Sequence, residues 1–234
     1  MKTYHDLKKA LANPEDVREL SVRKKKLKTL PDDIRLLKNV EKINLAYNSL
    51  NDLPPAFAEL KNLKSLKLSN NNFHYLPEVL LEMPQLEFLN IRRNRLKSLP
   101  DDIHRITRLQ TLIAYANQVK TLPQNFAKLK YFQLLNLSEN PDLEVAQVFS
   151  VLAQLSQPFA LELRRLDLQK LPDNFLQLSQ LKSLDIDEAT NLDIAHTIEQ
   201  LEKLPNCTYL KMGASPAQFP KNLEKLTHLV TDKK

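Results

Sequence analysis

Apolar and polar residues alternate in short stretches that return at a fixed distance along the chain. In Leu66-Lys67-Leu68 the period is two residues, which predicts a short β-strand with one buried and one open face. The whole pattern returns every 23 residues. Three columns share this phase: Asn48, Asn71, Asn94, Asn117 and Asn140; Pro31, Pro54, Pro77, Pro100 and Pro123, each preceded by leucine; and Leu45, Leu68, Ile91, Ala114 and Leu137.

These columns predict how successive turns are held together. An asparagine follows each strand, and a buried amide offers two donors and an acceptor to the backbone of its own turn and of a neighbouring turn. Stacked amides would therefore form an Asn ladder. Leu-Pro then leads into the opposite, convex segment, because proline lacks the N–H that a strand interior needs. One repeat cannot bury its own leucines, so stacking must do so.

The consensus is L-x-x-L-x-L-x-x-N-x-L-x-x-L-P-x-x-I-x-x-L-x-x, and residues 63–85 and 86–108 show it best. In this the chain resembles the leucine-rich repeat family, specifically its 23-residue intracellular class with Leu-Pro in the convex turns. The resemblance implies an α/β fold, a curved right-handed solenoid with a parallel sheet on the concave side. That class includes scaffolds of small-GTPase signalling. The resemblance lies in the repeat consensus, not in residues that contact a partner, so no partner is carried over.

The predicted organisation is a capping helix at 1–16, a repeat domain of about nine repeats at 17–228, and a tail at 229–234. Tyr4, Leu7 and Leu11 have the helical spacing of the cap. Two longer repeats, 132–157 and 181–206, carry helical spacing as well, so the convex turns should become helices near residue 143. The asparagine column reads Lys25 before Asn48. After Asn140 it continues as Leu166, Ala189 and Ser215, which predicts that the ladder ends there.

The C-terminal end is less regular than the cap. Leu229 looks like the first leucine of a further repeat, and the sequence given ends at Lys234. Two alternatives follow for the last hydrophobic layer: it is poorly covered, or it meets another subunit by self-association.

Composition removes several functional classes. The chain has 47 leucines but one glycine, Gly213, whereas phosphate-binding loops, dinucleotide fingerprints and Gly-x-Ser-x-Gly elbows need several. Asn and Pro are expected to make the turns instead. The single cysteine, Cys207, excludes an internal disulfide and a multi-thiolate metal site, and it stands at a core position. Neither a membrane-length apolar stretch nor a signal-peptide core is present, so we expect a cytoplasmic protein.

No group of residues predicts catalysis, a metal site or a cofactor. The five histidines never pair at helical spacing. The pairs Asp32-Asp33 and Asp101-Asp102 could do acid–base chemistry, but they follow Leu-Pro, where Asp caps backbone N–H groups. Asp185, Asp187 and Glu188 lack the glycine turn and the additional oxygen ligands of a calcium loop. We therefore expect a protein that is not an enzyme.

Charge is divided unevenly between the two halves of the chain. Residues 1–130 hold 24 Lys and Arg against 14 Asp and Glu, and residues 131–234 hold 10 against 14. The densest basic run is Arg23-Lys24-Lys25-Lys26, which would suit nucleic acid or an acidic lipid surface. The other interpretation is a solvated edge strand protected by lysines. No row of aromatic residues accompanies the run, which disfavours nucleic acid.

The concave face is the predicted partner site, because its residues lie between and just after the core leucines. Exposed Tyr, Phe and Arg together are typical of binding hot spots. The candidate partner-binding residues are Tyr47, Phe88, Asn90, Arg92, Arg93, Ile113, Tyr115 and Leu134. The C-terminal part of this face is mainly acidic, with Glu139, Glu162, Asp185, Asp187 and Glu188 interrupted by Arg164 and Arg165. The predicted function is a protein-interaction module or scaffold, and the alternative is an anion-binding surface in the basic half.

Overall fold

A computed structural model describes residues 2–189, 191–204, 206–212 and 230–231. Short strands recur through this part of the chain because each repeat supplies one alternating segment. They are β1 (Thr3–Tyr4), β2 (Glu19–Ser21), β3 (Lys42–Asn44), β4 (Ser65–Lys67), β5 (Phe88–Asn90), β6 (Thr111–Ile113), β7 (Leu134–Asn136), β8 (Phe159–Glu162), β9 (Leu181–Asp185), β10 (Tyr209–Lys211) and β11 (Val230–Thr231).

The strands of the described residues form a single parallel sheet in chain order, from β1 to β11. Equivalent positions pair across it, so Phe88 lies beside Thr111 and Thr111 beside Leu134. The pairing offset lengthens once the convex turns thicken, as Leu134 pairs with Ala160. This in-register stacking converts each column of the sequence into a straight row on the sheet.

The opposite side consists of one short helical segment per repeat. The 3-10 helices are Pro14–Asp16, Asp32–Leu36, Pro55–Glu59, Glu78–Glu82, Asp101–Arg105, Gln124–Lys128 and Asp173–Gln177. Those from Asp32 onward each follow a proline, which fixes the entry angle, and each buries an apolar residue such as Ile34 or Phe126. The α-helices are α1 (Leu7–Ala12), α2 (Val145–Leu152) and α3 (Ile194–Glu202). Helices α2 and α3 confirm the predicted change on the convex side.

The core lies between the sheet and these helical segments. The central residue of each strand is buried, from Leu20 to Leu210, and so is the apolar residue that follows each strand. Large rings fill the space behind them: Phe132 is 0% exposed, and its ring meets that of Phe126 edge-on, with 4.8 Å between centroids. Cys207 is also buried in this core, as its sequence position predicts.

The asparagines of the ladder hydrogen-bond as a continuous series between turns. The Asn117 amide nitrogen donates to the Ala114 carbonyl of its own turn at 3.0 Å and to the Ile91 carbonyl of the preceding turn at 3.1 Å. Its oxygen accepts from the Leu96 N–H at 3.0 Å. Asn48, Asn71, Asn94 and Asn140 make the equivalent bonds. The backbone of successive turns is therefore fixed by side chains up to Asn140.

A second column lies in the left-handed backbone region, which the sequence did not lead us to expect. Within the described residues, positive φ angles of 52° to 63° occur at Lys24, Lys26, Tyr47, Asn70, Arg93, Ala116, Glu139, Arg165 and Glu188. All except Lys26 occupy one equivalent position, two residues after the buried residue that follows each strand. The turns therefore depend on more than the Asn and Pro columns. Each turn also needs one residue in the left-handed conformation, which is sterically unfavourable for any residue with a Cβ.

The two ends of the sheet differ from the sequence prediction. The cap at 1–16 is not a helix throughout: Tyr4 belongs to β1, which extends the sheet beside β2, and α1 begins only at Leu7, where Asp6 caps the Lys9 N–H. Within the predicted tail, β11 continues the sheet beside β10. Residues 213–229 lie outside the described part, and with them most of the predicted repeat 207–228, Ser215 and the layer proposed for self-association.

Candidate binding site on the concave face

Strands β5 to β9 and the turns after them surround a hollow on the solvent-facing, concave side of the sheet. Its volume is about 310 Å³. We call it the arginine hollow, and it is lined by Asn90, Arg92, Arg93, Ile113, Tyr115, Asn136, Arg164, Arg165 and Glu188. These side chains meet because strand-end residues pair across the sheet, as Asn90 does with Ile113 and Ile113 with Asn136.

The structure brings together five of the eight residues predicted for the partner site. Asn90, Arg92, Arg93, Ile113 and Tyr115 all line the hollow. The other three do not line it. Phe88 and Leu134 lie one column away at the starts of β5 and β7, and Tyr47 lies after β3.

Sequence reasoning missed the far wall of the hollow. Asn136 stands 23 residues after Ile113, so the period could have found it. Arg164 and Arg165 were noted only as interruptions in an acidic region. They reach the hollow because a repeat of 26 residues separates β7 from β8, which shifts their columns by three residues. That shift is visible only once the pairing register is known.

Arg164 and Arg165 are neutralised by carboxylates. Arg165 donates from Nε to Glu188 at 2.6 Å and from Nη1 to Glu139 at 2.5 Å. Arg164 Nη2 lies 3.2 Å from an Asp187 carboxylate oxygen. The acidic residues that could have suggested calcium therefore surround guanidinium groups. Among the described residues, no group of three His, Cys, Asp or Glu side chains is placed to hold a metal ion.

Arg92 and Arg93 have no such ion pairs, although the charge of Arg93 contributes to the lowered pKa of Glu139. Across the described residues neither guanidinium forms an ion pair with a carboxylate, and the buried Nε of Arg92 has no hydrogen-bond partner. The Arg93 guanidinium carbon lies 5.9 Å from the centroid of the Tyr115 ring, within cation–π range. One side of the hollow therefore carries two guanidinium groups without an ion pair, and one of them lies next to an aromatic ring.

The pKa values of the carboxyl groups around the hollow are shifted in opposite directions, depending on whether hydrogen bonds or burial dominate. Partial burial would raise the pKa of Glu139, but hydrogen bonds from Arg165 and Tyr115 outweigh it and lower that pKa. The hydrogen bond from Arg165 likewise lowers the pKa of Glu188. By contrast, burial and the neighbouring Asp185 raise the pKa of Glu162, although it accepts a hydrogen bond from the Asn136 amide. Burial also raises the pKa of Asp185.

The raised pKa of Glu162 leads to a pH-dependent stability prediction. A carboxyl whose pKa is higher in the folded state destabilises the fold when ionised, and this cost vanishes below its ordinary pKa of 4.5. We expect Glu162→Gln to melt at a higher temperature than wild type at pH 7, with the difference disappearing as pH falls below that value. Thermal melts monitored by circular dichroism across this pH range would show it. Glu19→Gln, on β2 near the other end of the sheet, serves as control, and a pH-independent difference for Glu162→Gln would contradict the prediction.

Other candidate groups from the sequence do not join this site. Arg23 and Lys24 lie over the ring of Tyr47, at 5.3 and 5.5 Å from its centroid, so one aromatic residue does accompany the basic run.

The Asp pairs begin 3-10 helices, but neither helix has a side-chain cap, so the predicted capping bonds are wrong. The N-cap positions are held by Pro31 and Pro100, whose side chains cannot accept a hydrogen bond, and the Asp residues follow inside the first turn. Burial raises the pKa of Cys207 to about 11, which keeps its thiol protonated at neutral pH.

Comparisons with known proteins found one family match and a similarity to a solved structure. The family model described as leucine rich repeat matches residues 15–73. A solved leucine-rich repeat protein of Leptospira interrogans is 19% identical, with all of both chains covered and a TM-score of 0.42. A search of curated proteins found no match. No helix in the described part is long and apolar enough to cross a membrane.

The family match locates leucine-rich repeats in residues 15–73. The 23-residue columns and the parallel sheet in register continue the same pattern beyond them, so the fold is a leucine-rich repeat solenoid. Leucine-rich repeat domains generally mediate protein–protein interaction.

Proposed function

We propose that this protein is a non-catalytic interaction module that binds another protein through the concave face. The observation that carries the proposal is the arginine hollow, where Arg92, Arg93, Ile113 and Tyr115 of neighbouring repeats adjoin one another. Arginine and tyrosine are enriched among the residues that dominate binding energy. Phe88 and Leu134 extend this surface by one column, with Thr111 between them.

The scaffold beneath these residues supports the same function. The side chains of Asn94 and Asn117 hydrogen-bond the two turns that carry Arg93 and Tyr115 to the turns before them. Rigid backbone of this kind reduces the conformational entropy lost on binding. The contact residues are therefore held at fixed spacing before a partner arrives.

The mixed charge of the face favours a protein over a polyanion. Arg92 and Arg93 stand on one side of the hollow, whereas Glu139, Glu188 and Asp187 stand on the other. A nucleic acid laid across β5 to β9 would bring its phosphates against these carboxylates. A folded protein can present opposite charges to both sides, which gives orientation as well as attraction.

The test is affinity capture followed by measured binding. A partner captured by the wild-type protein and identified by mass spectrometry is titrated against Phe88→Ala/Tyr115→Ala by calorimetry. Losing two hot-spot aromatic residues should weaken binding by about tenfold or more.

Tyr75→Ala/Tyr131→Ala is the matched control, because these rings are 70% and 60% exposed and lie outside the sheet. The control variant should bind like wild type. Equal affinity of the Phe88/Tyr115 variant and the wild type would contradict the proposal. Steeply salt-dependent binding to an oligonucleotide would support the anion-surface alternative instead.

A further inference from the structure

The arginine hollow contains two kinds of arginine, and only one kind has its charge matched by this chain. Arg164 and Arg165 are held among Asp187, Glu188 and Glu139 at 2.5 to 3.4 Å. Arg92 and Arg93 form no ion pair within the described residues. The chain therefore forms ion pairs on one side of the hollow, whereas on the other side only a longer-range attraction between Arg93 and Glu139 offsets the positive charge.

The cationic side also has unused hydrogen-bond donors. Arg92 is half-buried, and its Nε is shielded from solvent without a hydrogen-bond partner. A guanidinium nitrogen left unpaired away from water is costly. The Asn90 side-chain oxygen accepts from the Arg92 backbone N–H at 3.1 Å, which leaves the amide nitrogen of Asn90 without a bond in the described structure. The Arg92 Nε stays out of reach of a ligand, but an acceptor group with several lone pairs would reach the terminal nitrogens of Arg92 and the amide nitrogen of Asn90.

Apolar surface adjoins the donors. Ile113 and Tyr115 line the same hollow and are half-buried, and the Tyr115 ring lies beside the Arg93 guanidinium. A ligand that satisfies Arg92 and Arg93 therefore places its next group on an aliphatic and aromatic surface. This favours a peptide, which carries a carboxylate and an apolar side chain a few ångströms apart.

We propose that the arginine hollow binds an acidic peptide segment of the partner. An Asp or Glu carboxylate bridges the guanidinium groups of Arg92 and Arg93, and a neighbouring apolar side chain packs on Ile113 and Tyr115. Carboxylates pair with arginine in a bidentate geometry, which gives direction as well as attraction. This inference rests on the proposed function and names the chemistry of the partner at that same site.

The first test uses a library of short random peptides displayed on phage and selected against the 234-residue chain. Selected sequences should be enriched in Asp and Glu next to an apolar residue. Each selected peptide is synthesised with a fluorophore, and its Kd is measured by fluorescence anisotropy. Arg92→Ala/Arg93→Ala should weaken binding by about fivefold or more, the loss expected for hot-spot residues. Replacing the peptide's acidic residues with Asn and Gln should have the same effect.

The matched control removes the same charge elsewhere. Arg35 and Arg108 are exposed and lie outside the strands, so Arg35→Ala/Arg108→Ala changes the net charge equally. This control should bind the peptides like wild type, and a loss equal to that of the hollow variant would reveal general charge attraction and overturn the inference. Selection without acidic enrichment, or of no peptide at all, would also overturn it. Melting curves of both variants establish that each is folded.

The captured partner separates this inference from the proposed function. Lost affinity in Phe88→Ala/Tyr115→Ala with unchanged affinity in Arg92→Ala/Arg93→Ala would uphold concave-face binding and overturn the acidic-peptide inference. Unchanged affinity in both variants would overturn both proposals. Lost affinity in both would support both.

Discussion

Phe132→Ala is expected to lower the free energy of unfolding by about 3–5 kcal/mol, the usual cost of deleting a buried aromatic ring. The Phe132 side chain is 0% exposed, and its ring meets Phe126 edge-on at an interplanar angle of 74°. Truncation leaves a cavity between the sheet and the convex segment Gln124–Lys128. Neighbouring turns are tied by the Asn ladder, so the site cannot collapse fully to fill it.

The preceding residue provides the control for this substitution. Tyr131 is 60% exposed and of similar size, so Tyr131→Ala should change the unfolding free energy by about 0.5 kcal/mol or less. Urea denaturation followed by circular dichroism measures both variants. Similar losses at the two positions would show that the assigned burial of Phe132 is wrong.

Asn117→Ala is expected to cost up to about 3 kcal/mol, because the substitution leaves buried backbone groups unsatisfied. The Leu96 N–H would lose its acceptor, and the Ile91 and Ala114 carbonyls would lose a donor. Asn117 is 6% exposed, which limits replacement of these bonds by water. The loss should therefore exceed that of an ordinary surface amide.

Gln118→Ala is the matched control, because the Gln118 side chain is exposed. The hydrogen bond that Gln118 makes comes from its backbone N–H, which donates to the Leu96 carbonyl. That backbone bond survives the substitution. Amide hydrogen exchange provides a second measurement, in which Asn117→Ala should accelerate exchange at Leu96 and leave Lys2 to Leu20 unaffected. An unchanged melting temperature for Asn117→Ala would contradict a structural role for its amide.

The fold could be predicted from the sequence to the extent that each column has one physical cause. The alternation of leucines predicted strands. The column of asparagines predicted side chains that hydrogen-bond to two successive turns. These two patterns did not predict the structure at the N-terminal end of the solenoid. Tyr4 has the spacing of a helix with Leu7 and Leu11, but the open edge of β2 offers backbone hydrogen bonds that a strand at Thr3–Tyr4 satisfies. This tertiary pairing outweighed local spacing.

The site could be predicted only where the period was constant. Asn90, Arg92, Ile113 and Tyr115 belong to 23-residue repeats, so their columns could be aligned without coordinates. Arg164 and Arg165 lie beyond a longer repeat, and their ion pairs with Glu139 and Glu188 depend on side-chain directions that spacing does not encode. Apart from Asn136, which the 23-residue period reaches, the residues of the hollow that the sequence missed therefore lie beyond the change of period.

Some residues with a left-handed backbone both strain the fold and line the arginine hollow. A left-handed backbone with a Cβ costs roughly 1–2 kcal/mol per residue, which glycine would avoid. Yet Arg93, Arg165 and Glu188 occupy the left-handed column and also line the hollow. Glycine at these three positions would relieve the backbone strain, but it would also remove the side chains that line the hollow. At Lys24 or Ala116, which do not line it, the same replacement relieves strain without touching the hollow. Strain in this solenoid can thus be relieved repeat by repeat while the residues that line the arginine hollow are left intact.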